Sequence, residues 1–340
     1  MKRLLVLGTI VAVALVVLAG GIIAQQAGQG AGGQGRGGGA GLGPIGTIQK
    51  VTDRLYMIPG GGGNTAVFLT ANGVVIVDTK LANNGQAILD QVKTVSSKPV
   101  TLIVNTHTHG DHTGSNVFFP ASVEIVAHEN TKANMEKMDV FKDSANKYAL
   151  PDKTFKDRMT LLGGPDSIDL YYFGAAHTNG DAFVVFRALR AMHAGDVFAT
   201  RGQPLIDRNN GGSGIAYPQT IAKAVSAIKN VDTVITGHTT TGPLKWQDFV
   251  DYGEFNRLFL EHARKSLAAG KTPEQAMADL KLPRNSKNIT FRVDVAAPAE
   301  TSTSSIRSFK TSKPNARGVN TRFLYFFRFF DRNPALDLLR

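Results

Sequence analysis

The sequence predicts an α/β fold. Short β-branched runs such as Val100–Val104 recur along the chain, each bounded by polar turn residues. Stretches with helical spacing lie between them, and a strand–helix–strand order implies parallel pairing. Several of the runs end in His or Asp, and strand ends are where α/β folds carry chemistry.

Met1-Lys2-Arg3 precedes an apolar run over 4–24, followed by Gln25-Gln26. A basic start, an apolar stretch and a polar flank predict export, by a cleaved signal peptide. The run is also long enough to cross a bilayer as an N-terminal anchor. Residues 25–44 are dominated by Gly and predict a flexible linker. Those glycines lack the strand-before, helix-after context of a nucleotide fingerprint.

The folded domain is expected over 45–295. Residues 55–58, 64–69 and 73–77 read as strands, with turns at Gly60-Gly61-Gly62-Gly63 and Ala71-Asn72-Gly73. Residues 84–95 read as a helix, 123–127 as a strand and 129–138 as a helix. Residues 134–154 are polar and poorly periodic, and read as an irregular segment able to cover a cleft. Strands at 159–162, 167–173, 182–186 and 190–193 make a second half. Residues 217–229 show helical spacing, with Ile221, Val225 and Ile228 on one face, and 231–236 is the last core strand. Helices follow at 246–269 and 273–280. The stripe Phe249, Tyr252, Phe255, Phe259 and Leu260 on the first of these reads as core packing. Residues 296–340 predict a basic, disordered tail. Its aromatic run over 323–330 reads either as a membrane-surface segment or as an altered reading frame.

Composition removes several function classes. Cys is absent, which excludes disulfides, thiolate ligands and a lipid-modified cysteine anchor. Any metal must be held by His and carboxylate. The formal net charge is +11, but the basic excess lies in 301–340 and near the N-terminus, leaving a near-neutral body. That argues against nucleic acid as a partner and for a small-molecule substrate.

The densest chemistry follows the run Val100–Val104. Three histidines and a carboxylate fall in His107-Thr108-His109-Gly110-Asp111-His112. In an extended segment His107 and His109 share a face and can reach one ion, while Asp111 and His112 come from the next turn and can reach a second. Neutral imidazoles and carboxylates are zinc ligands, and catalytic zinc keeps a position open for water. The bland alternative is a polar loop of hydrogen-bonded histidines.

His107-x-His109-x-Asp111-His112 resembles the signature of the metallo-β-lactamase superfamily. Val74-Val75-Ile76-Val77-Asp78-Thr79 is similar to that family's strand ending in a supporting Asp. Gly174-Ala175-Ala176-His177-Thr178-Asn179-Gly180-Asp181, His193-Ala194-Gly195-Asp196 and Ile235-Thr236-Gly237-His238 resemble its later motifs, in order. The resemblance implies an αβ/βα sandwich: two mixed β-sheets flanked by helices, with the site at one edge between them. It implies two metal ions, zinc with iron or manganese as alternatives. His107, His109 and His177 would hold one ion. Asp111, His112, Asp196 and His238 would hold the other, with Asp196 bridging. Asp78 would orient ligands from behind, or else simply cap its strand, and Asp111 would orient the attacking hydroxide. Asp181 would order its own loop. His193, His128 and His262 would be structural. Gly60-Gly61-Gly62-Gly63 would be a flap over substrate or a plain hairpin loop.

The implied activity is hydrolysis of an ester, lactone, thioester or β-lactam type bond by a metal-bound hydroxide, in a periplasmic or secreted protein. The carboxylate at Asp196 brings the chain nearer thioesterases and lactonases than authentic β-lactamases. The competing readings are a true β-lactamase, a di-iron oxidoreductase, and a non-catalytic metal-binding accessory protein.

Overall fold

The computed structural model describes residues 43–281. The apolar N-terminal run, most of the Gly-rich linker, residues 282–295 and the basic tail lie outside the described residues.

Two sheets pack face to face. The first holds, in spatial and chain order, β1 (Gln49–Lys50), β2 (Leu55–Ile58), β3 (Thr65–Leu69), β4 (Val74–Val77), β5 (Val100–Val104), β6 (Glu124–His128) and β7 (Lys153–Phe155). Its first three pairings are antiparallel, and β4 through β7 run parallel. Parallel neighbours need a crossover. Helix α1 (Gly85–Lys93) supplies it between β4 and β5, α2 (Gly110–Thr113) lies between β5 and β6, and α3 (Glu129–Met135) and α4 (Asp139–Lys142) precede β7.

The second sheet contains β8 (Arg158–Leu161), β9 (Ile168–Tyr171), β10 (Phe183–Phe186), β11 (Ala191–His193), β12 (Thr233–Ile235) and β13 (Leu244–Lys245). Strands β11 and β12 run parallel and the other pairs antiparallel. Helix α5 (Tyr217–Ala227) crosses between the parallel strands, and α6 (Trp246–Ala268) and α7 (Pro273–Ala278) close the fold.

Alternation of side chains explains the layers. Phe68, Val75, Leu102 and Val104 point inward from the first sheet and meet Leu170, Val184, Phe186 and Ile235 of the second. Phe68 and Phe186 touch edge to face across that layer, with ring centroids 5.2 Å apart. On the outer faces, Ile76 and Ile103 pack on Ile88 and Val92 of α1, and Val185 and Met192 pack among Ile221, Phe249 and Tyr252 of α5 and α6. Strands covered on both faces read as continuous apolar runs, which is what made them visible in the sequence. This is the αβ/βα sandwich of two mixed sheets, with the aromatic stripe of α6 buried as core.

Register positions the site. Val77 pairs with Val104, so the chain leaves β4 at Asp78 beside the exit from β5. His193 pairs with Ile235 in the second sheet, so Asp196 and His238, each three residues further on, leave their strands together.

Residues 134–154 differ from expectation. They form α4, a 3-10 stretch (Ser144–Ala149) and β7, and Phe141 and Ala149 pack on Met135 in a small core. The Asp152 carboxylate accepts from Ile125 N at 2.8 Å and docks β7 on its neighbour. Elements this short carry too few turns to show a period. The two-residue edge strands β1 and β13 escape sequence reading for the same reason. Among the described residues, no helix is long and apolar enough to cross a membrane.

One polar cluster on the second sheet makes a stability test. Asp169 is buried on β9 and accepts from Arg187 Nη2 and Thr160 Oγ1, both at 2.6 Å. Burial opposes its ionisation, and these hydrogen bonds outweigh burial, holding the carboxyl below the ordinary range. Asp169→Asn is expected to cost about 2 kcal/mol at pH 7, the worth of charge-assisted hydrogen bonds. A depressed native pKa contributes stability above the unfolded value of about 3.9 and loses it as pH falls through the native value. Paired thermal melts should therefore show a gap that narrows towards about pH 3. A gap independent of pH would contradict the account.

Candidate metal centre

Asp78 is fully buried at the end of β4, with φ of 65° in the left-handed region that non-glycine residues seldom adopt. One carboxylate oxygen accepts from Thr106 N at 2.7 Å. The other accepts from Thr106 Oγ1 and from His112 Nδ1, both at 2.7 Å. The Thr106 hydroxyl proton is thus spent on Asp78, so Thr106 Oγ1 must accept from His107 Nδ1, 3.0 Å away. Both imidazoles therefore carry a proton on Nδ1 and turn Nε2 towards the cluster. One carboxylate sets the tautomer of two histidines.

His109 is anchored from its other side. Its Nε2 donates to Asp207 Oδ2 at 2.6 Å, which turns Nδ1 towards the cluster. His177 Nδ1 donates to Leu205 O at 2.8 Å, leaving Nε2 as an acceptor. His109 Nδ1 and His177 Nε2 face each other at 2.9 Å. Two ring nitrogens that close must share either a proton or a metal cation.

The short helix α2 opens at His109 and carries Asp111 and His112. Asp111 Oδ2 lies 3.3 Å from His238 Nε2 and 3.7 Å from His112 Nε2. Asp196 Oδ1 lies 3.3 Å from His112 Nε2, and its Oδ2 lies 3.2 Å from His238 Nε2 and 3.6 Å from His177 Nε2. Tyr217 of α5 steadies this segment by donating to the carbonyls of Asp196 and Val197.

All seven ligand candidates named from the sequence thus come together. Their ligand atoms fall into three groups, each within 4.8 Å: His107, His109 and His177; Asp111, His112 and His238; and His107, His112 and Asp196. The last group joins the first two, with Asp196 between them. His107 Nε2 and Asp196 Oδ1 are buried without any hydrogen-bond partner. Orphaned buried polar atoms of this kind are rare, and here both belong to the same ligand group. The residues present fit metal cations, and the donor set is all nitrogen and oxygen.

Electrostatics divide the cluster. Burial, then the neighbouring His112 and His177, push His107 well below the ordinary imidazole range. Burial and His109 push His177 down to about 4. Burial opposes charge on His112 too, but the carboxylates of Asp196, Asp111 and Asp78 overcome it and raise that imidazole. His238 is raised in the same way, against burial, chiefly by Asp196. Asp196 stays ionised despite burial because His238 and His112 face it.

The remaining candidates have ordinary partners. Asp181 accepts from Thr178 N and Oγ1 and orders its own turn, with burial raising its carboxyl to about 7. His193 bonds to Asn64 O at 3.0 Å and accepts from Gly195 N at 3.1 Å. His128 accepts from Asn130 N at the start of α3, and His262 bonds to Ala276 O. Residues 60–63 are a buried hairpin loop between β2 and β3, packed beside the site. They are not an exposed flap. A Cβ at Gly63 would overlap the His112 imidazole, which explains the glycine there.

Sequence reading missed Asp207, Thr106, Asn64 and Lys80. Asp207 sits in an Asx turn, accepting from Asn209 N, and nothing local to that turn points to His109. Asp207→Ala is expected to lower metal affinity by ~10–100-fold through the His107, His109 and His177 group, the usual range for losing a partner behind a ligand. Chelator competition on the metal-loaded protein measures this. Unchanged affinity would show that His109 needs no anchor.

The family model described as the metallo-beta-lactamase superfamily matches residues 58–238. Curated relatives include metallo-beta-lactamase domain-containing protein 1 of Rattus norvegicus, 34% identical over 88 residues, which are 25% of this chain and 35% of that protein. The Mus musculus protein of the same name is 37% identical over 71 residues, 20% of this chain and 27% of that one. The chain therefore spans about a third of the length of these relatives. Among solved structures, the sec-alkylsulfatase Pisa1 from Pseudomonas sp. superposes with a TM-score of 0.60 at 14% identity, covering 72% of this chain and 46% of that one. DIM-1 metallo-beta-lactamase superposes with a TM-score of 0.52 at 18% identity, covering 63% and 99%. These likenesses are likenesses of fold. With the family match spanning more than half its length, the chain belongs to the metallo-beta-lactamase superfamily.

Proposed function

We propose that the protein is a metal-dependent hydrolase with a dinuclear centre, most simply two zinc ions, that cleaves an ester, lactone, thioester or β-lactam type bond in a small molecule. The observation that carries this reading is the convergence of seven His and Asp side chains into three ligand groups, with His107 Nε2 and Asp196 Oδ1 buried and unpartnered at their centre. His107, His109 and His177 would hold one cation, and Asp111, His112 and His238 the other, with Asp196 serving both. Cations held there supply Lewis-acid polarisation of the scissile carbonyl and acidify water towards neutral pH. Iron or manganese would also suit these ligands.

The chain's own residues do the rest. None of the seven side chains carries a hydroxyl or thiol, so they place a water rather than a side-chain nucleophile. His112 and His177 are fully buried, whereas the side chains of Asp111, His109 and His238 are 26%, 23% and 16% exposed. The cluster therefore opens along Asp111, His109 and His238, where substrate would enter. Asp111 faces that opening as a carboxylate able to orient water and take up its proton. The near-neutral body favours a small molecule over nucleic acid, and the N-terminal apolar run favours an exported protein.

Metal analysis with a hydrolysis panel tests the reading. The panel holds an ester, a lactone, a thioester, a β-lactam, a phosphodiester and an alkyl sulfate, the last because of the alkylsulfatase likeness. About two metal ions per chain are expected, with activity lost to a chelator and restored by zinc. Protein that binds no metal, with no activity after added zinc, would remove the mechanism. Asp196→Ala should lower kcat by ~10²-fold or more and weaken the cation of the Asp111 group more than the other. A destabilised variant with both metals and near-normal kcat would leave Asp196 as a mere strand cap.

A further inference from the structure

We propose that Lys80 is a positioning residue of the centre: its ammonium clamps the loop 60–63 against Asp111 and His112, and so sets the Asp111, His112 and His238 group. The inference rests on the metal-centre reading above.

Lys80 is fully buried. Its Nζ donates to Ile58 O and Gly60 O at 2.7 Å and to Gly63 O at 2.9 Å, which uses all three ammonium protons. Burial makes this ion costly and pulls its pKa down to about 7, against the nearby Asp78 carboxylate that favours the charge, and a methionine would fill the same space without that cost. Like Asp78, Lys80 has φ of 65°. The turn therefore holds two strained residues two apart. Asp78 holds Thr106 and His112, and Lys80 holds the glycine loop.

The backbone between and around them grips α2. Thr79 N donates to His112 O at 2.7 Å, and Lys80 O accepts from Gly114 N at 2.9 Å. On the opposite side, Gly63 N donates to Asp111 O at 2.8 Å, and a side chain at Gly62 would meet that same carbonyl. Asp111 and His112 thus lie between the Lys80 turn and the loop that Lys80 fastens. The next residue extends the clamp to the second sheet. Asn64 N donates to Gly237 O at 2.7 Å, and its side chain donates to Thr236 O and Thr239 O, both at 2.9 Å, on either side of His238. Asp111, His112 and His238 all lean on this loop. His107, His109 and His177 are held instead by Thr106, Asp207 and Leu205 O. A clamp that acts through the loop should therefore act on one group and spare the other.

The test is zinc titration of the metal-free full-length protein by calorimetry, comparing wild type with Lys80→Met and Lys80→Gln. In wild type, two equivalents should bind. In Lys80→Met, one should bind as in wild type and the second at least ~10-fold more weakly, the scale of losing a partner behind a ligand. Lys80→Gln, which keeps donors for two of the three carbonyls, should fall between them. It carries the comparison alone if Lys80→Met does not fold. Two wild-type affinities with a lowered Tm would overturn the proposal in favour of a purely structural lysine. Equal weakening of both equivalents would overturn it as well. A wild-type protein that binds fewer than two equivalents would defeat the dinuclear reading itself, an outcome seen without any variant.

Discussion

The arrangement depends on one buried carboxylate. Asp78 has no exposure to water, yet it is surrounded by donors: an amide, a hydroxyl and an imidazole, each at 2.7 Å. Those three donors satisfy both oxygens of a carboxylate that water cannot reach. Because the hydroxyl belongs to Thr106, the same oxygen that satisfies Asp78 also dictates the tautomer of His107. Remove the carboxylate and the proton positions on two imidazoles become undetermined. The left-handed backbone at Asp78 is the local cost of aiming it there.

That carboxylate can reach its partners because of sheet register. Val77 beside Val104 brings Asp78 under the loop that leaves β5, and His193 beside Ile235 brings Asp196 and His238 out together. Parallel pairing puts the C-terminal ends of neighbouring strands at the same edge, so each half contributes two chain exits. The inner layer, with Phe68 against Phe186, holds the sheets at a fixed separation. Across the seam, His193 of the second sheet bonds to Asn64 of the first. The ligands stand on turns and short helical segments that leave the ends of core strands, not within the strands themselves.

Legibility in the sequence followed distance along the chain. The strands and the seven ligand candidates sit in runs of four to eight residues whose pattern is local, so they could be read directly. The supports could not. His109 and Asp207 are 98 residues apart, and Asn64 and Thr236 are 172 apart. Neither partner has a neighbourhood that announces the other. Lys80 looked like any polar residue after a strand, since nothing in its own sequence shows that it is buried. The glycines at 60–63 could be recognised as a turn, but whether the turn lay open or packed was decided by the His112 ring that lies against it. What remained hidden was the set of long-range hydrogen bonds that turns a set of ligands into a site.

The protonation pattern completes the argument. Three carboxylates, Asp78, Asp111 and Asp196, lie among imidazoles in a largely buried cluster. In the first half, imidazoles outnumber carboxylates, and burial pushes His107 and His177 below the ordinary imidazole range. In the other half, His112 and His238 are raised because carboxylates face them. Protons are what balance the charge in that half when nothing else does. A cation entering the first half meets His107 and His177 already in their binding form. A cation entering the second must displace protons that the carboxylates hold in place. The two halves are therefore unlike by construction, and the difference arises from where Asp78, Asp111 and Asp196 leave their strands.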